Sequence, residues 1–320
     1  MTQHIIHPPA SVALLGGTGF VGRALALALE AAGYRVRIVT RREQTVPGLA
    51  VLPSVETRVL GAPGGEAALA DALQGCEVVV NLIGILHESP RASFADVHVG
   101  LTERALAAAQ AAGVTRFIQV SALGAAVDAP SRYLRSKAEA EARVRAAPIA
   151  WTILRPSVIF GREDAFLNLF AGLARLLPVL VIPCPDARFQ PIHVDDVAHA
   201  VVSCLTVPDT ISQSLELGGP EVFTMRELMV RVGIWTGTRR PVLGLPVPLS
   251  MLQAAVFERL PGQLMSRDNV RSMQVPNVCA GGFPELLGFS PAAMDRVVPE
   301  YLVPDDGRAR YSRLRGLAGR

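Results

Sequence analysis

The chain has 320 residues, of which 50% are hydrophobic and 18% charged, and its formal net charge is +3 at neutral pH. A chain of this length accommodates one large α/β domain, or a nucleotide-binding domain with a smaller lobe. The small net charge argues against a nucleic-acid partner, and no uninterrupted apolar run is long enough to span a bilayer. Residues 1–9 lack the basic region and apolar core of a secretory signal, and the cysteines are scattered. We therefore expect a cytoplasmic protein with reduced thiols and no metal site.

The first predicted element is a strand that runs into a glycine-rich turn. The apolar run from Val12 to Leu15 is followed by the turn Gly16, Gly17, Thr18, Gly19, Phe20, Val21 and Gly22. Apolar residues then recur at helical spacing up to Ala32, so the turn joins a buried strand to a helix. We expect Gly17 to permit the tight bend, Gly19 to let the backbone approach a pyrophosphate, and Gly22 to let the helix pack close to the sheet. The pattern predicts a nucleotide site whose phosphates rest on the free N–H groups at the start of the helix.

The second predicted strand, Arg35 to Thr40, bears on the choice of cofactor. NAD-binding proteins usually place an acidic residue at the end of this strand for the ribose 2′-hydroxyl, whereas this chain has Arg41 and Arg42. A guanidinium holds a 2′-phosphate through bidentate, charge-assisted hydrogen bonds, so the sequence favours NADPH, with NADH as the alternative. The competing interpretation is that both arginines are solvated loop charges.

Strands and helices continue to alternate, which predicts a doubly wound parallel sheet of the Rossmann type in the α/β class. The further predicted strands are Glu56 to Leu60, Glu77 to Ile85, Arg116 to Val120 and Ala150 to Leu154. The further predicted helices are Glu66 to Leu73, Ser93 to Ala112, Ser131 to Arg145, Ala165 to Leu177 and Val194 to Leu205. The alternation weakens after residue 160. We expect residues 1–160 and 187–210 to form an NAD(P)-binding domain, and residues 161–186 and 211–320 to form a smaller, discontinuous substrate-side lobe with a basic tail.

Tyr133 and Lys137 lie four residues apart and therefore on one face of a predicted helix. A phenol with an ordinary pKa of about 10 is a poor acid or base at neutral pH, and an adjacent cation favours its ionised form. The pair predicts a proton transfer at Tyr133 that accompanies hydride transfer to or from a nicotinamide, with Lys137 also holding the nicotinamide ribose. An ordinary amphipathic surface helix is the alternative explanation.

Taken together, these motifs resemble the short-chain dehydrogenase/reductase family, in its extended or atypical branch with the NAD-dependent epimerases and dehydratases. The resemblance also rests on the segments Asn81 to Gly84, Ser121, Leu154 to Gly161 and Gln190 to Ala198. It runs from about Ser11 to Val202. The segments Tyr133 to Ala138 and Phe160 to Asn168 resemble the NADPH-binding accessory subunit of respiratory complex I and its stand-alone bacterial relatives.

The resemblance implies a role for each matching position. Gly16, Gly19 and Gly22 would line the pyrophosphate, within a cofactor-binding segment that includes Gly17, Thr18, Phe20 and Val21. The 2′-phosphate would be held by Arg41 with Arg42, the adenosine side by Ile83 and Gly84, and the nicotinamide face by Pro156, Ser157 and Val158. Tyr133, Lys137 and Ser121 would be the catalytic residues and would also contact the cofactor.

Ser121 departs from the family pattern. Extended members often place a serine or threonine two or three positions into the loop after the fifth strand, whereas in this chain Ser121 is followed by Ala122 and Leu123. Either Ser121 itself polarises the substrate carbonyl, or that hydrogen bond is missing. A side chain displaced by one position can lose a factor of about 100 in rate.

The histidines and nearby acids invite a metal or triad interpretation, which we reject. Asp195 and Asp196 lie between His193 and His199, at the predicted start of a helix. Asp195 is better explained as the N-cap of that helix and His193 as a hydrogen-bonding residue of the core or cleft. For His98, which lies where relatives often carry an asparagine, we expect packing and hydrogen bonding rather than proton transfer.

Three functions follow from these patterns. The favoured one is an NADP-dependent oxidoreductase, or an epimerase-like or dehydratase-like enzyme, that moves a hydride to or from a carbonyl, hydroxyl or quinone-like small molecule. The second is a non-catalytic NADPH-binding accessory, assembly or redox-sensing protein with a respiratory-complex partner. The third is a protein peripheral to the inner face of the membrane that acts on an apolar substrate, suggested by the apolar and basic C-terminal third.

Overall fold

The protein is built around a parallel sheet of seven strands. The computed structural model describes residues 11–41, 48–49, 52–61, 65–259 and 264–302. The strands in these ranges are β1 (Ser11–Leu15), β2 (Arg35–Thr40), β3 (Val55–Val59), β4 (Val78–Asn81), β5 (Arg116–Val120), β6 (Ala150–Pro156), β7 (Ile159–Phe160), β8 (Leu180–Pro183), β9 (Arg188–Phe189), β10 (Ile192–His193), β11 (Gln213–Leu217), β12 (Phe223–Thr224) and β13 (Val242–Leu245). The order across the sheet is β11-β6-β5-β4-β1-β2-β3. This order confirms the predicted doubly wound α/β sheet, with the switch point between β1 and β4.

Helices cover both faces of the sheet. In chain order the α-helices of the described residues are α1 (Phe20–Ala31), α2 (Glu66–Leu73), α3 (Leu101–Ala111), α4 (Arg132–Ala146), α5 (Ala165–Leu176), α6 (Val194–Thr206), α7 (Met225–Trp235), α8 (Val247–Phe257), α9 (Arg267–Ser272), α10 (Met294–Val297) and α11 (Pro299–Leu302). Those that cover the sheet are α1 and α6 on one face and α2, α3 and α4 on the other. The alternation of side chains along β1 shows the two faces. Val12 and Leu14 pack with α1 and α6, whereas Ala13 and Leu15 pack with α2, α3 and α4. A strand buried on both faces must be apolar throughout, which is why its sequence is recognisable.

The fourth strand is shorter than its sequence predicts. The pattern of residues 77–85 predicts an extended segment, but β4 ends at Asn81. The side chain of Asn81 accepts a hydrogen bond from the Ile83 N–H (3.2 Å) and so turns the backbone out of the sheet. The segment from Leu82 onward is therefore free to cross the carboxyl end of the sheet.

The predicted helix from Ser93 to Ala112 begins as a π-helix over Ala95–Gly100 and becomes α-helical at Leu101. The Thr102 hydroxyl donates to the His98 carbonyl (2.6 Å) within this wider turn. Single π turns inside α-helices occur frequently at functional sites. Periodicity cannot reveal such a turn, because its apolar spacing differs from the α-helical spacing by only one residue.

The central sheet extends beyond its predicted boundary. β11 pairs in parallel with β6, although the sequence assigns residues 211–320 to the smaller lobe. We call α5, α7 to α11, β8, β9, β12 and β13, together with the loop between α9 and α10, the second lobe; its helices and strands lie outside the seven-stranded sheet and its two helical layers. Phe160, Leu167, Met225 and Trp235 belong to the core of this lobe.

Two further observations concern membrane-spanning helices and the pairing of the cysteines. Among the described residues no helix is both long and apolar enough to cross a bilayer. The four cysteines are free, and three of them are buried.

Candidate functional site

The turn between β1 and α1 brings the chain to the switch point of the sheet. Gly16 has a left-handed backbone (φ +87°), and a Cβ on it would lie 3.3 Å from the Ile83 nitrogen. The sequence predicts that Gly17 permits the bend, but its φ is not positive. A Cβ on Gly17 would lie 3.0 Å from Ile38 Cγ2 and from Leu14 Cβ. Gly16 therefore supplies the left-handed conformation, and Gly17 supplies space against the sheet.

The start of α1 is arranged as an anion site. Gly22 is closely packed, since a Cβ on it would lie 2.5 Å from the Gly16 carbonyl oxygen and from Gly17 Cα. Gly19, the N-cap residue, is exposed, and no side chain among the described residues caps the helix. The first turn of α1 also has no acidic residue. Free N–H groups, positive helix polarity and an open backbone fit a pyrophosphate.

The remaining turn residues support this arrangement. The Thr18 carbonyl accepts from the Arg23 guanidinium (3.5 Å). The Phe20 ring lies against Gly161, where a Cβ would be 3.1 Å from the ring. Val21 packs on the core between α1 and the sheet. These contacts fix the turn to α1 and to the loop after β7.

Arg41 directly follows β2 at the same edge of the sheet. Val39 is in register with Leu15, so the backbone of Arg41 lies beyond the carboxyl end of β2, at the edge of the sheet where the glycine turn begins. Its side chain is exposed. Arg42, the second arginine predicted to hold a 2′-phosphate, lies outside the described residues.

The segment after β4 connects the glycine turn to α4. Ile83 contacts Gly16 through its backbone, and a Cβ on Gly84 would lie 3.1 Å from Lys137 Nζ. The same Cβ would be 3.6 Å from His98 Nε2. Gly84 therefore leaves room for the lysine head group, which a larger residue would displace.

Lys137 is a buried cation, with only 5% of its surface exposed. Its ammonium donates to the Val120 carbonyl (3.3 Å) at the end of β5. Burial lowers the pKa of Lys137 to about 8, and the nearby Glu141 carboxylate opposes this shift. Glu141 is itself fully buried and bound by Arg155 through two hydrogen bonds of 2.8 and 2.5 Å. The lysine is therefore held mostly protonated at neutral pH but close to the range in which it loses its charge.

Tyr133 lies at the start of α4 and packs edge-on against two rings. The Phe94 ring centre is 5.8 Å away and the His98 ring centre 5.5 Å away. Burial raises the pKa of Tyr133 to about 12, so the expected lowering of this pKa by Lys137 is wrong for this structure. The cause of this shift is the loss of water around the phenol.

Ser121 follows β5 directly and is buried. Its hydroxyl has no hydrogen-bond partner among the described residues. Buried polar groups are normally paired, so an orphaned hydroxyl beside the Val120 carbonyl fits a missing ligand atom.

His98 packs and forms hydrogen bonds, as the sequence predicts. Its Nε2 accepts from the Ile85 N–H (3.1 Å), so the ring proton lies on Nδ1 and is donated to the Ser136 hydroxyl (2.8 Å). Ser136 in turn donates to the Tyr133 carbonyl (2.8 Å). Burial, followed by the charge of Lys137, lowers the pKa of His98 to about 3. His98 is therefore a neutral connector between the loop after β4 and the helix that carries Tyr133.

The segment predicted to face the nicotinamide is held by a residue that no motif indicated. The Pro156 carbonyl accepts from the Leu123 N–H (3.0 Å). The Asn277 side-chain oxygen accepts from the Ser157 hydroxyl (2.6 Å) and from the Val158 N–H (2.9 Å). A lone asparagine more than 100 positions away in the sequence gives no local signal. Asn277 fixes the backbone after β6.

The acidic segment near residue 195 is a helix start. His193, not Asp195, is the N-cap residue of α6, so the expected cap is wrong by two positions. The Asp196 carboxylate accepts a hydrogen bond from the Ala292 N–H (2.8 Å) and so connects α6 to the segment before α10. Asp195 lies in the first turn, where its charge favours the helix without a capping bond.

The three residues that the sequence predicts to be catalytic lie on α4 or directly after β5. Burial raises the pKa of Tyr133 to about 12, so the phenol keeps its proton at neutral pH. Lys137 is a cation from the same helix, and Ser121 has a free hydroxyl at the carboxyl end of the neighbouring strand. All three lie at the sheet edge to which the uncapped helix would direct a dinucleotide.

Comparisons with known proteins identify a nucleotide-binding family. A family model described as NAD(P)H-binding matches residues 16–208. The mitochondrial protein NADH dehydrogenase [ubiquinone] 1 alpha subcomplex subunit 9 of Arabidopsis thaliana is 38% identical over 223 residues, which are 67% of this chain and 55% of that protein. The chain thus spans about half the length of this curated relative. The ceramide reductase of Caulobacter vibrioides is 35% identical over 249 residues, 77% of each chain.

The fold is shared with solved structures. The NADPH-dependent quinone oxidoreductase QOR2 of Escherichia coli, solved with NADPH, superposes with a TM-score of 0.73 and 19% sequence identity. The superposition covers 91% of this chain and 99% of that one. At this identity the likeness establishes the fold.

Proposed function

The chain belongs to the NAD(P)H-binding family of Rossmann-fold short-chain dehydrogenase/reductase proteins, and from this premise we propose that it reduces a carbonyl or quinone-like small molecule with NADPH. The observation that carries the proposal is that the neutral Tyr133 phenol and the buried Lys137 cation lie on one helix. The unpaired Ser121 hydroxyl directly follows β5. A Rossmann domain does not need these three groups in order to fold.

Each of these residues has a distinct task in the proposed reaction. The Ser121 hydroxyl donates to the substrate oxygen and orients it. The Tyr133 hydroxyl gives its proton to that oxygen, and the Lys137 ammonium stabilises the tyrosinate that forms. When bound, NADPH supplies the hydride that the substrate carbon accepts. The pKa of Tyr133, about 12, holds the proton in place until negative charge develops on the substrate oxygen.

The cofactor itself would be held by the glycine turn and by Arg41. The N–H groups at the start of α1 bind the pyrophosphate, with Gly19 allowing close approach and Gly22 fixing the helix. Arg41 binds the 2′-phosphate. Ile83 and Gly84 lie between the turn and Lys137, which supports their placement beside the cofactor.

Arg41→Ala should weaken NADPH binding about 10- to 100-fold, because one charge-assisted contact to the 2′-phosphate is worth about 1.5 to 3 kcal/mol. NADH has no 2′-phosphate, so its affinity should change little. Calorimetry with both nucleotides measures the ratio. Arg91→Ala, an exposed arginine of the loop after β4, is the matched control. Equal losses for NADPH and NADH would contradict the assignment of Arg41.

The reaction is tested with the full chain and a panel of aldehydes, ketones and quinones. We expect NADPH oxidation, followed by the absorbance of the reduced nicotinamide, with at least one member of the panel. The nucleotide that copurifies with the protein, identified by mass spectrometry, should be NADP(H). Tight NADPH binding without turnover on any compound would count against an enzyme and in favour of an accessory role.

The second candidate is an NADPH-binding accessory or assembly protein. It is supported by an apolar surface on the second lobe, where Leu243, Leu252 and Val256 are 55%, 63% and 50% exposed. Exposed apolar patches mark contacts with proteins, lipids or apolar ligands. This face would lie against a respiratory-complex subunit or the inner face of a membrane. An enzyme with an apolar substrate would also use this surface, as a place where the substrate binds.

A further inference from the structure

The N-terminus of α4, the helix that carries Tyr133, is closed by a residue from the second lobe. The two carboxylate oxygens of Asp268 accept separately from the N–H groups of Arg132 and Tyr133, both at 2.9 Å. The Ser131 hydroxyl accepts from the Leu134 N–H (3.2 Å). The first three N–H groups of the helix are therefore bound, two of them by a residue more than 130 positions away.

Asp268 is firmly placed. It lies in α9, whose start is closed by a reciprocal capping box between Ser266 and Asn269. Val270 of the same helix is fully buried. The Glu258 carboxylate, at the end of α8, accepts from the Arg267 N–H (2.7 Å) and side chain (2.9 Å). The second lobe thus determines where the carboxylate lies.

A second contact reinforces the same junction. Val275, a few residues after α9, packs with Tyr133 and Leu134. A Cβ on Gly124, in the loop after Ser121, would lie 3.4 Å from Val275. The second lobe therefore touches both the tyrosine helix and the loop that follows the serine.

We infer that Asp268 is a positioning residue that sets the placement of Tyr133 from the second lobe. The inference rests on the proposed function. A carboxylate fits this role because it accepts two N–H bonds at once and its charge favours a helix N-terminus. An amide of the same shape accepts with one atom only and turns donor hydrogens toward the other N–H. Because the Tyr133 peptide is itself one of the two donors, any shift of the carboxylate moves the phenol.

The test is Asp268→Asn in the full-length protein, with Asp295→Asn as the control. Asp295 is also an acid of the second lobe, and its carboxylate pairs with Arg231 of α7. We expect Asp268→Asn to lower kcat about 10-fold or more while the Kd for NADPH stays within about twofold, since a small misplacement of a reacting group is costly and the glycine turn is untouched. Asp268→Glu, which keeps two acceptors, should recover part of kcat.

A readout independent of turnover separates this inference from the proposed function. The chain has four tyrosines, so ¹³Cζ-tyrosine spectra, assigned with Tyr133→Phe, report on the Tyr133 ring directly. Asp268→Asn should shift this resonance and speed amide exchange at Arg132 and Tyr133, and Asp295→Asn should do neither. Wild-type protein that turns over no substrate would defeat the proposed function alone. Any of three results for Asp268→Asn would overturn the inference. These are an unchanged Tyr133 resonance and amide exchange rate, a kcat equal to that of Asp295→Asn, or a loss of NADPH affinity that parallels the loss of kcat.

Discussion

Replacing Gly22 by alanine is expected to weaken NADPH binding by about 100-fold or more and to destabilise the fold by about 3 kcal/mol. The new Cβ would lie 2.5 Å from the Gly16 carbonyl oxygen and Gly17 Cα. Both atoms belong to the backbone of the phosphate-binding turn and cannot rotate away as a side chain would. The start of α1 must move away from the turn, and its free N–H groups move with it.

The matched control for this change is Gly172→Ala in α5. Gly172 is also a helical glycine, but a Cβ there meets nothing within 4 Å. Alanine should raise stability at this exposed position by about 0.5 to 1 kcal/mol and leave NADPH affinity unchanged. Calorimetric titration and urea unfolding measure both quantities. If Gly22→Ala bound NADPH as the wild type does, the phosphate site would have to lie elsewhere.

Tyr133→Phe should lower turnover by about 10²- to 10⁴-fold, the range expected for loss of a general acid. NADPH affinity should stay within about twofold, because the change removes one oxygen and leaves the ring contacts with Phe94 and His98 intact. Steady-state kinetics on the best substrate of the panel give kcat, and calorimetry gives the nucleotide affinity.

Tyr34→Phe serves as the control, because Tyr34 is also a buried tyrosine but belongs to the core beside α1 and α6. It should retain full turnover. If Tyr133→Phe behaved in the same way, Tyr133 would have no part in the chemistry. The accessory role, in which NADPH is held for structural or sensing purposes, would then be favoured.

The pKa values of Tyr133 and Lys137 indicate whether these two groups carry their protons at neutral pH. Burial raises the pKa of the phenol to about 12 and lowers that of the ammonium to about 8. At neutral pH both groups therefore carry their protons. A protonated phenol is the form that the proposed reduction requires as proton donor to the substrate oxygen.

Different parts of the site are predictable from the sequence to different degrees. The sequence predicts the position of the glycine turn correctly, because the strand, the turn and the helix are contiguous. Each has a local pattern: an apolar run, closely spaced glycines and apolar residues at helical spacing. Even so, the left-handed conformation of the turn belongs to Gly16 and not to Gly17, for which the sequence predicts the tight bend. A Cβ on Gly17 would lie 3.0 Å from Ile38 Cγ2 of the neighbouring strand, a proximity that the sequence of the turn does not reveal.

The electrostatic state of the site could not be predicted from spacing. A separation of four residues places Tyr133 and Lys137 on one face of α4, but it does not reveal how much water each group retains. The Phe94 and His98 rings cover the phenol, and the Val120 carbonyl binds the ammonium. These contacts come from two other segments, and burial raises the tyrosine pKa where the spacing predicts a lower one.

By itself, the sequence determined the parallel sheet, the nucleotide turn and the tyrosine helix, because each depends on residues close together in the chain. Only the tertiary structure decided how these parts are positioned relative to one another. It placed Asp268 on the first turn of α4, Asn277 on the backbone after β6, and His98 between the loop and the helix. Hydrogen bonds between distant segments depend on where the folded backbone brings them, so no local pattern of residue types encodes them.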